Sequence, residues 1–256
     1  MKMMVFDLQA KFASFKKFYT NSSSLTYLFP PRTVISGIIG AILGFDFDSY
    51  YEDMNFKNSL ISVSVKSKIR TYMTNLNYMK IIDYSFFNNI MESKGYDYTQ
   101  IPFELLIPED FSKNIVYRIY FSSKDETILE LKEKIKNKNP YYPVSLGYAN
   151  MLATVRFVAE SEVEIFSIDD FIEVVSPTPL KYINCVKIEE GIHIQKDIIP
   201  IYFDKERRPR TETYIFEHGG KNYKIKTDRK IIKVKYNNNE ENMVLPEVAE
   251  NEFLFS

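Results

Sequence analysis

A glycine-containing apolar segment near the amino terminus, YLFPPRTVISGIIGAILGF at 27–45, constrains the fold of this chain more than any other stretch. Its aliphatic residues recur at helical spacing, which predicts a helix that Thr33 caps and Gly44 ends. Gly37, Ala41 and Gly44 then share one side of the helix. Each interior glycine costs about 1 kcal/mol of helix stability relative to alanine, so we expect this side to lie tightly against a sheet.

Two strands are predicted on either side of that helix. The first, MMVFDLQAKFASF at 3–15, interleaves apolar and polar residues, and the second, at 58–73, has the most regular alternation in the chain. The polar face of the second strand carries Lys66, Lys68 and Arg70 with no acidic neighbour in the sequence. Such cations can follow the phosphates of a nucleic acid, but lysines also protect exposed sheet edges, and the pattern leaves both interpretations open.

In the rest of the first 167 residues, the sequence predicts a segment that leaves the sheet, which we call the excursion, and then a strand, a helix and a strand. Residues 74–100 lack a clean period, a pair of strands broken at Pro108 follows, and Ser123 with Glu126 forms a predicted capping box for the second helix. Together with the first half, this gives the βαββαβ order of a ferredoxin-like or RNA-recognition-motif-like sheet. The predicted class is therefore α+β, with both helices on one sheet face and the other face or an edge free to meet RNA.

The carboxy-terminal part of the chain has a different character. Beyond residue 167 it consists of short strand-like runs divided by Pro, Gly and Asn. This pattern predicts a small β-rich domain at 168–256, which follows a first domain at 1–167.

Charge is unevenly distributed along a chain whose net charge is only -1. Residues 57–80 hold five Lys/Arg and no acid, and residues 201–235 hold eleven Lys/Arg against five acids. Residues 159–173 hold six acids and residues 236–256 hold five, in both cases without a base. Such sorting can build one basic and one acidic surface, as a nucleic-acid binder inside an assembly needs, while a set of solvated faces is the simpler alternative.

Several function classes are excluded by composition and motif. The single cysteine, Cys185, cannot form an intrachain disulfide, and the only histidines, His193 and His218, do not supply a zinc cluster. The amino terminus lacks a signal-peptide core, and no apolar run approaches the roughly 20 residues of a membrane span. The glycine-rich stretch has neither a P-loop nor a dinucleotide-binding order. We therefore expect a cytoplasmic protein without a membrane, metal or cofactor.

The sequence also resembles a known family. The stretch VFDLQAKFASFKKFYTNSSSLTYLFPPRTVISGIIGAILG at 5–44 is similar to the amino-terminal signature of the CRISPR-associated Cas-five family, which belongs to the RAMP superfamily. FELL at 103–106 and PVSLGYANMLATV at 143–155 resemble later motifs of that family, a strand and a P-x-LG turn before the last core strand.

This resemblance implies an RNA-recognition-motif-like core with an inserted β-hairpin thumb, here the excursion at 74–100. It implies a subunit of a type I Cascade complex in antiviral defence that grips the 5′ handle of the CRISPR RNA and holds the large and backbone subunits, with target DNA as a further partner. Length and tail are most similar to type I-B members. The resemblance implies RNA contacts at Lys16, Lys17, Tyr19, Ser23, Arg32, Thr33, Ser145, Leu146, Gly147 and Tyr148, and our strand interpretation adds Lys68 and Arg70.

One branch of the family trims the CRISPR RNA without metal, using a Tyr, a Lys and a His. The first 192 residues of this chain contain no histidine, so that triad cannot be placed in the core domain. We therefore predict no catalytic residues and a role in binding. A metal-independent endoribonuclease and a scaffold that meets only protein partners are the competing hypotheses.

Overall fold

The computed structural model describes residues 2–79, 98–203 and 208–246. The helices within these ranges are α1 (Arg32–Leu43), α2 (Asp125–Lys136) and a short 3₁₀ helix (Leu180–Tyr182). The strands are β1 (Lys2–Ala10), β2 (Phe15–Lys16), β3 (Thr26–Tyr27), β4 (Leu60–Val65), β5 (Ile69–Met79), β6 (Tyr98–Pro108), β7 (Ile115–Ser122), β8 (Thr154–Phe166), β9 (Ile172–Val174), β10 (Thr178–Pro179), β11 (Cys185–Lys187), β12 (Ile194–Phe203), β13 (Pro209–Glu217), β14 (Tyr223–Lys226), β15 (Ile231–Tyr236) and β16 (Asn239–Val244).

The main sheet has six strands in the order β16-β15-β8-β1-β7-β4, and every neighbouring pair is antiparallel. In the central strand β1, Met4, Phe6 and Leu8 point to one face and Met3 and Val5 to the other. All five side chains are fully buried, because both faces of the sheet are covered at this point. The α+β class predicted from the sequence is confirmed.

Both helices pack on the face that Met4, Phe6 and Leu8 form. The helix positions in this core are Ile35, Ile38, Ile39, Ile42, Leu43, Ile128, Leu131 and Ile135. They recur at three- and four-residue spacing, so one stripe of each helix meets the sheet. Each fully buried Leu or Ile contributes roughly 2 kcal/mol through the removal of apolar surface from water. Among the described residues, no helix is long and apolar enough to cross a membrane.

The end of α1 follows its prediction, but its beginning does not. Gly44 takes the left-handed conformation with φ 89°, and its N–H donates to the Gly40 carbonyl at 2.8 Å. At the other end, Pro31 is the N-cap residue and no side chain caps the helix. The prediction that Thr33 caps α1 is therefore wrong, because proline fixes a φ that already suits a helix start and the helix begins before Thr33.

The predicted capping box of α2 is wrong for a similar reason. The helix begins at Asp125 after Lys124, and no side chain caps it. The Ser123 hydroxyl instead donates to the Asn58 carbonyl at 2.9 Å, which ties the end of β7 to the loop before β4.

The small residues of α1 face tyrosines and not the sheet. A Cβ atom on Gly37 would lie 3.2 Å from Oη of Tyr50, and one on Gly44 would lie 2.6 Å from Cγ of Tyr141. The expectation that this side of the helix lies on a sheet is therefore wrong. The glycines give room to aromatic rings from the segments that follow each helix.

The sheet curls, so that its last two strands cover part of the face opposite the helices. Ile232, Val234 and Met243 of β15 and β16 share a core with Met3 and Val5 of β1. The predicted boundary at 167/168 follows β8, but β15 pairs with the end of β8 and extends the same sheet. The division into domains at 1–167 and 168–256 remains a prediction. Of the carboxy-terminal strands, β15 and β16 belong to the main sheet, whereas β9 to β14 form two three-stranded sheets, β10-β13-β12 and β11-β14-β9.

A buried polar cluster on that face joins the two ends of the curled sheet at Glu241 of β16. This carboxylate accepts hydrogen bonds from Lys66 Nζ at 2.6 Å, from Tyr236 Oη at 2.5 Å and from Tyr120 Oη. Burial alone would raise the pKa of Glu241, but the hydrogen bonds and charge of Lys66 and the two tyrosines hold it below its ordinary value. Through these three hydrogen bonds, Glu241 connects β16 to β15, to β7 and to the residue that follows β4.

The second notable element is a long β-hairpin made by β5 and β6. It pairs from Ile69 opposite Pro108 to Met79 opposite Tyr98. Among the described residues its strands join no other sheet, and β6 makes only isolated bridges to Ala13 and Ser24. The single strand predicted at 58–73 is therefore two strands, since β4 ends at the main sheet and β5 leaves it. The predicted excursion at 74–100 begins and ends in this hairpin, and residues 80–97 lie outside the described part of the chain.

Candidate nucleic-acid interface

Backbone hydrogen bonds join the segment between β1 and α1 to β6 of the hairpin. Ala13 N–H donates to the Leu106 carbonyl at 3.2 Å and Leu106 N–H donates back at 2.8 Å. Further along, Ser24 N–H donates to the Pro102 carbonyl at 2.9 Å, and Glu104 N–H donates to the Ser24 carbonyl at 2.9 Å. The polar residues between β1 and α1 are thus fixed beside the hairpin.

The P-x-LG turn closes on the same segment. Ser14 N–H donates to the Leu146 carbonyl at 3.0 Å, and a Cβ atom on Gly147 would lie only 1.8 Å from the Ser14 oxygen. Gly147 also has φ 106°, so no other residue fits this position without moving the backbone. Tyr148 completes the contact, because its ring lies 4.9 Å from the ring of Phe103 in the hairpin.

Two predicted sets of residues, from the segment before α1 and from the P-x-LG turn, therefore meet beside the hairpin, and we call this place the hairpin-base surface. It consists of Lys16, Tyr19, Ser23, Ser145, Gly147 and Tyr148. Lys16, Tyr19 and Gly147 are exposed, and the other three are half-buried. A hydrogen bond of 3.2 Å between the hydroxyls of Ser24 and Tyr148 joins its two halves.

Leu146 does not belong to this surface. Its side chain is fully buried, its N–H donates to the Met151 carbonyl at 2.9 Å, and its carbonyl accepts from Ser14. The expectation that Leu146 contacts RNA is therefore wrong, because the turn uses it as an apolar anchor.

Lys17 lies beside the surface with its charge already paired. Its Nζ is 2.7 Å from Oδ2 of Asp197 on β12, and the Tyr19 hydroxyl donates to Oδ1 of the same carboxylate at 2.8 Å. Burial alone would lower the pKa of Lys17, but the hydrogen bond and charge of Asp197 raise it above its ordinary value. Lys17 therefore fastens the amino-terminal segment to β12 and has little charge to offer a phosphate, contrary to the expectation.

Arg32 points away from the hairpin and into the protein. Its guanidinium stacks on the Phe56 ring at 4.1 Å, and Nη2 donates to the carbonyl and hydroxyl oxygens of Ser59 at 3.1 and 2.9 Å. Burial lowers the pKa of Arg32 to about 10, so it stays protonated at neutral pH. Arg32, expected to contact RNA, therefore lies outside the hairpin-base surface, because Phe56 and Ser59 hold its guanidinium. Thr33, half-buried one residue further along, is likewise outside this surface.

Lys68 and Arg70 lie at the foot of the hairpin. Lys68 is 73% exposed and its Nζ is 3.7 Å from Oε2 of Glu109, while the exposed Arg70 lies over the Phe111 ring at 5.5 Å. The fold brings acidic partners to this face that are distant in the sequence, since Glu109 lies near Lys68 and Glu241 binds Lys66. Both residues nevertheless keep their cations accessible.

The sequence interpretation missed the exposed apolar residues of the hairpin. Tyr72, Met73, Tyr78, Met79 and Tyr98 are between 39% and 64% exposed. A signal for them was present, because the β5 sequence IRTYMTNLNYM contains no acid and places Tyr72 and Tyr78 on the same strand face as Arg70. Aromatic rings beside cations form stacking platforms for single-stranded nucleic acid.

The described residues offer no metal centre of three or more His, Cys, Asp or Glu side chains. His193 and His218 lie at one end of the β12–β13 pair, where His218 N–H donates to the His193 carbonyl at 2.9 Å. The groups that the hairpin-base surface presents are therefore a lysine, hydroxyls, exposed backbone and aromatic rings.

Comparison with known proteins finds a CRISPR-associated family model that matches part of this chain. Residues 3–100 match the family described as CRISPR-associated protein (Cas_Cas5). No curated protein matches the chain.

Solved structures share the fold over nearly the whole chain. A CRISPR protein from Archaeoglobus fulgidus is 11% identical with a TM-score of 0.55, and the match covers 96% of this chain and 100% of that one. A chain of the Type III-B Cmr-beta complex bound to cognate target RNA and AMPPnP is 13% identical with a TM-score of 0.50, covering 88% and 86%. The predicted resemblance to the CRISPR-associated Cas-five family is thus confirmed over residues 3–100, and the fold is one that CRISPR proteins use.

Proposed function

We propose that this chain is a non-catalytic subunit of a CRISPR effector complex, in which it holds the 5′ handle of the CRISPR RNA. The observation that carries the proposal is the family match over residues 3–100, because that range contains β5 of the hairpin and the first half of the hairpin-base surface. The described strand order β8-β1-β7-β4 with both helices on one face also supports a ferredoxin-like core.

The hairpin-base surface suits the backbone of a single RNA strand. Lys16 is exposed and has no ion pair in the described part of the chain, so its ammonium can meet a phosphate. The exposed backbone at Gly147 allows close approach of a ribose-phosphate chain. Tyr78 and Tyr148 add aromatic faces on which bases stack, and the hydroxyls of Ser23 and Ser145 can bond phosphate or ribose oxygens.

Lys68 and Arg70 extend the same surface along the hairpin foot in this proposal. The large subunit, the backbone subunit and target DNA remain expected partners, and the type I-B assignment remains a prediction. The hairpin is the part of the described chain best suited to reach them, since most side chains of β5 and of the first half of β6 are exposed.

We favour binding over cleavage on geometric grounds. Lys17 and Tyr19 meet at Asp197, and His193 precedes that residue by four positions along the chain. At about 3.3 Å per extended residue, His193 lies roughly 13 Å from Asp197, too far for the direct proton transfers of a metal-free ribonuclease. Incubation of the purified chain with labelled repeat RNA in EDTA tests this point, and site-specific cutting that His193→Ala abolishes would refute it.

Binding itself is tested by fluorescence anisotropy with single-stranded RNA that carries the 5′ handle of the repeat from the same CRISPR locus. We expect salt-sensitive binding that Lys16→Met weakens, with the slope of log K against log salt reduced by about 0.7 for one lost phosphate contact. Arg156→Met, which removes an exposed cation from β8, is the matched control and should bind as the unchanged protein does. If both variants lose the same affinity for RNA, the effect of Lys16→Met comes from the change in net charge alone, and the assigned surface is contradicted.

A further inference from the structure

A narrow cleft opens beside Arg32, between the beginning of α1 and the strands β12 and β13. Its volume is about 70 Å³, and its walls are mainly apolar. They include Phe29, Ile35, Phe56, Ile199, Ile201 and Tyr214. Arg32 is the only charged residue among the described residues that line the cleft.

The guanidinium of Arg32 is incompletely satisfied. Only Nη2 has hydrogen-bond partners, both on Ser59, and the buried Nε has none. No carboxylate of the described residues lies within ion-pair distance of it. Arg32 is half-buried and lines the cleft, so its guanidinium is the cation that an incoming group would meet there.

The beginning of α1 adds to this positive field. No side chain caps the helix, and its first turn contains no acid. The partial positive charge of the helix amino terminus and the charge of Arg32 therefore act in the same place with no negative charge of the described chain to offset them. A buried cation without a counter-ion is costly, and an anion that enters the cleft would remove that cost.

We propose that this cleft binds the carboxylate of an aspartate or glutamate side chain that a partner polypeptide inserts. A carboxylate can accept a charge-assisted hydrogen bond from Nη1 of Arg32, which has no partner among the described residues. The apolar walls suit the aliphatic stem of such a side chain, and the volume is that of roughly one short side chain. A nucleic-acid phosphate fits less well, because it brings a charged, strongly hydrated backbone to walls that carry no second cation. The proposal does not depend on RNA binding.

The test uses the full chain and two capped amino acids that differ only in charge, N-acetylglutamate amide and N-acetylglutamine amide, with inorganic phosphate as a third probe. Binding is followed at constant ionic strength by the NMR signal of the Arg32 Nε–H group. We expect that signal to shift with a millimolar dissociation constant for the glutamate probe. For the glutamine probe and for phosphate, we expect binding at least tenfold weaker.

Arg32→Met should abolish the response to the glutamate probe, read through backbone signals of Phe56 and Ile201, while Arg156→Met keeps it. If Arg32→Met does not fold, the unchanged protein still decides the question, because the comparison of the three probes needs no variant. No shift with glutamate, an equal shift with glutamine or tighter binding of phosphate would each overturn the proposal. None of these results would bear on the handle-RNA measurements.

Discussion

Replacement of Gly147 by alanine should destabilise the protein by an amount that the structure allows us to work out. Its φ of 106° is strained for any residue with a Cβ, which costs about 1–2 kcal/mol. The new Cβ would also lie 1.8 Å from the Ser14 carbonyl oxygen, so the turn must move and break the hydrogen bond from Ser14 N–H to Leu146. Both residues are buried, and losing that bond costs about 1–2 kcal/mol more.

We therefore expect Gly147→Ala to lower the free energy of unfolding by about 3 kcal/mol, or the melting temperature by about 6–12 °C for a chain of this size. Urea denaturation followed by circular dichroism measures the first quantity and calorimetry the second. Gly191→Ala is the matched control, because Gly191 has φ 75° but only the mobile end of Lys221 nearby, at 3.4 Å. That variant should lose only about 1 kcal/mol, from the backbone conformation alone.

The difference between the two variants isolates the contact with Ser14. If both lose the same stability, the P-x-LG turn does not close on the amino-terminal segment as described, and the hairpin-base surface would not exist in this form. The same variant should also weaken handle-RNA binding, since the turn supplies half of that surface.

Four further outcomes can be measured. Glu241→Gln should lower the free energy of unfolding at pH 7 by about 2 kcal/mol, because it unpairs Lys66. Since the pKa of Glu241 is depressed in the folded state, its contribution is complete above the ordinary glutamate pKa and is lost as the pH falls through the lowered value, so urea titrations of both proteins should converge in acid. Lys17→Met should lower stability while leaving the salt slope of RNA binding unchanged, whereas Lys16→Met does the reverse. Arg32→Met should unfold at the same or a higher urea concentration, because methionine removes an unpaired buried charge. Leu131→Ala should cost about 2–5 kcal/mol in the same titration.

The local sequence pattern predicted α1 and β1, because the periodicity of neighbouring residues determines these elements. The periodicity of 34–43 and the glycine at 44 located α1, and the alternation near the amino terminus located β1, although that strand ends at Ala10 and not at 15. Cap residues were less predictable. The N-cap residues are Pro31 and Lys124, and not the residues with capping side chains that the sequence suggested. The path of the backbone before each helix determines where the helix begins.

Side-chain partners were the least predictable part of the site. Lys66 and Glu241 are 175 residues apart, and Lys17 and Asp197 are 180 apart, so only the completed topology brings them together. The sequence alone showed clusters of like charge and gave no indication of which cation would be neutralised. For the same reason Arg32 was expected at the surface, whereas the packing of Phe56 and Ser59 holds it inside.

The position of β1 in the middle of the sheet has a consequence for how this protein can be made and divided. Its neighbours on both sides, β7 and β8, are synthesised long after it, so nearly half of the chain is made before the central strand can pair with either neighbour. The range that carries the family signal is consequently not a module that can be excised. An expression fragment cut at residue 100 would expose the apolar sides of β1 and α1 and should aggregate.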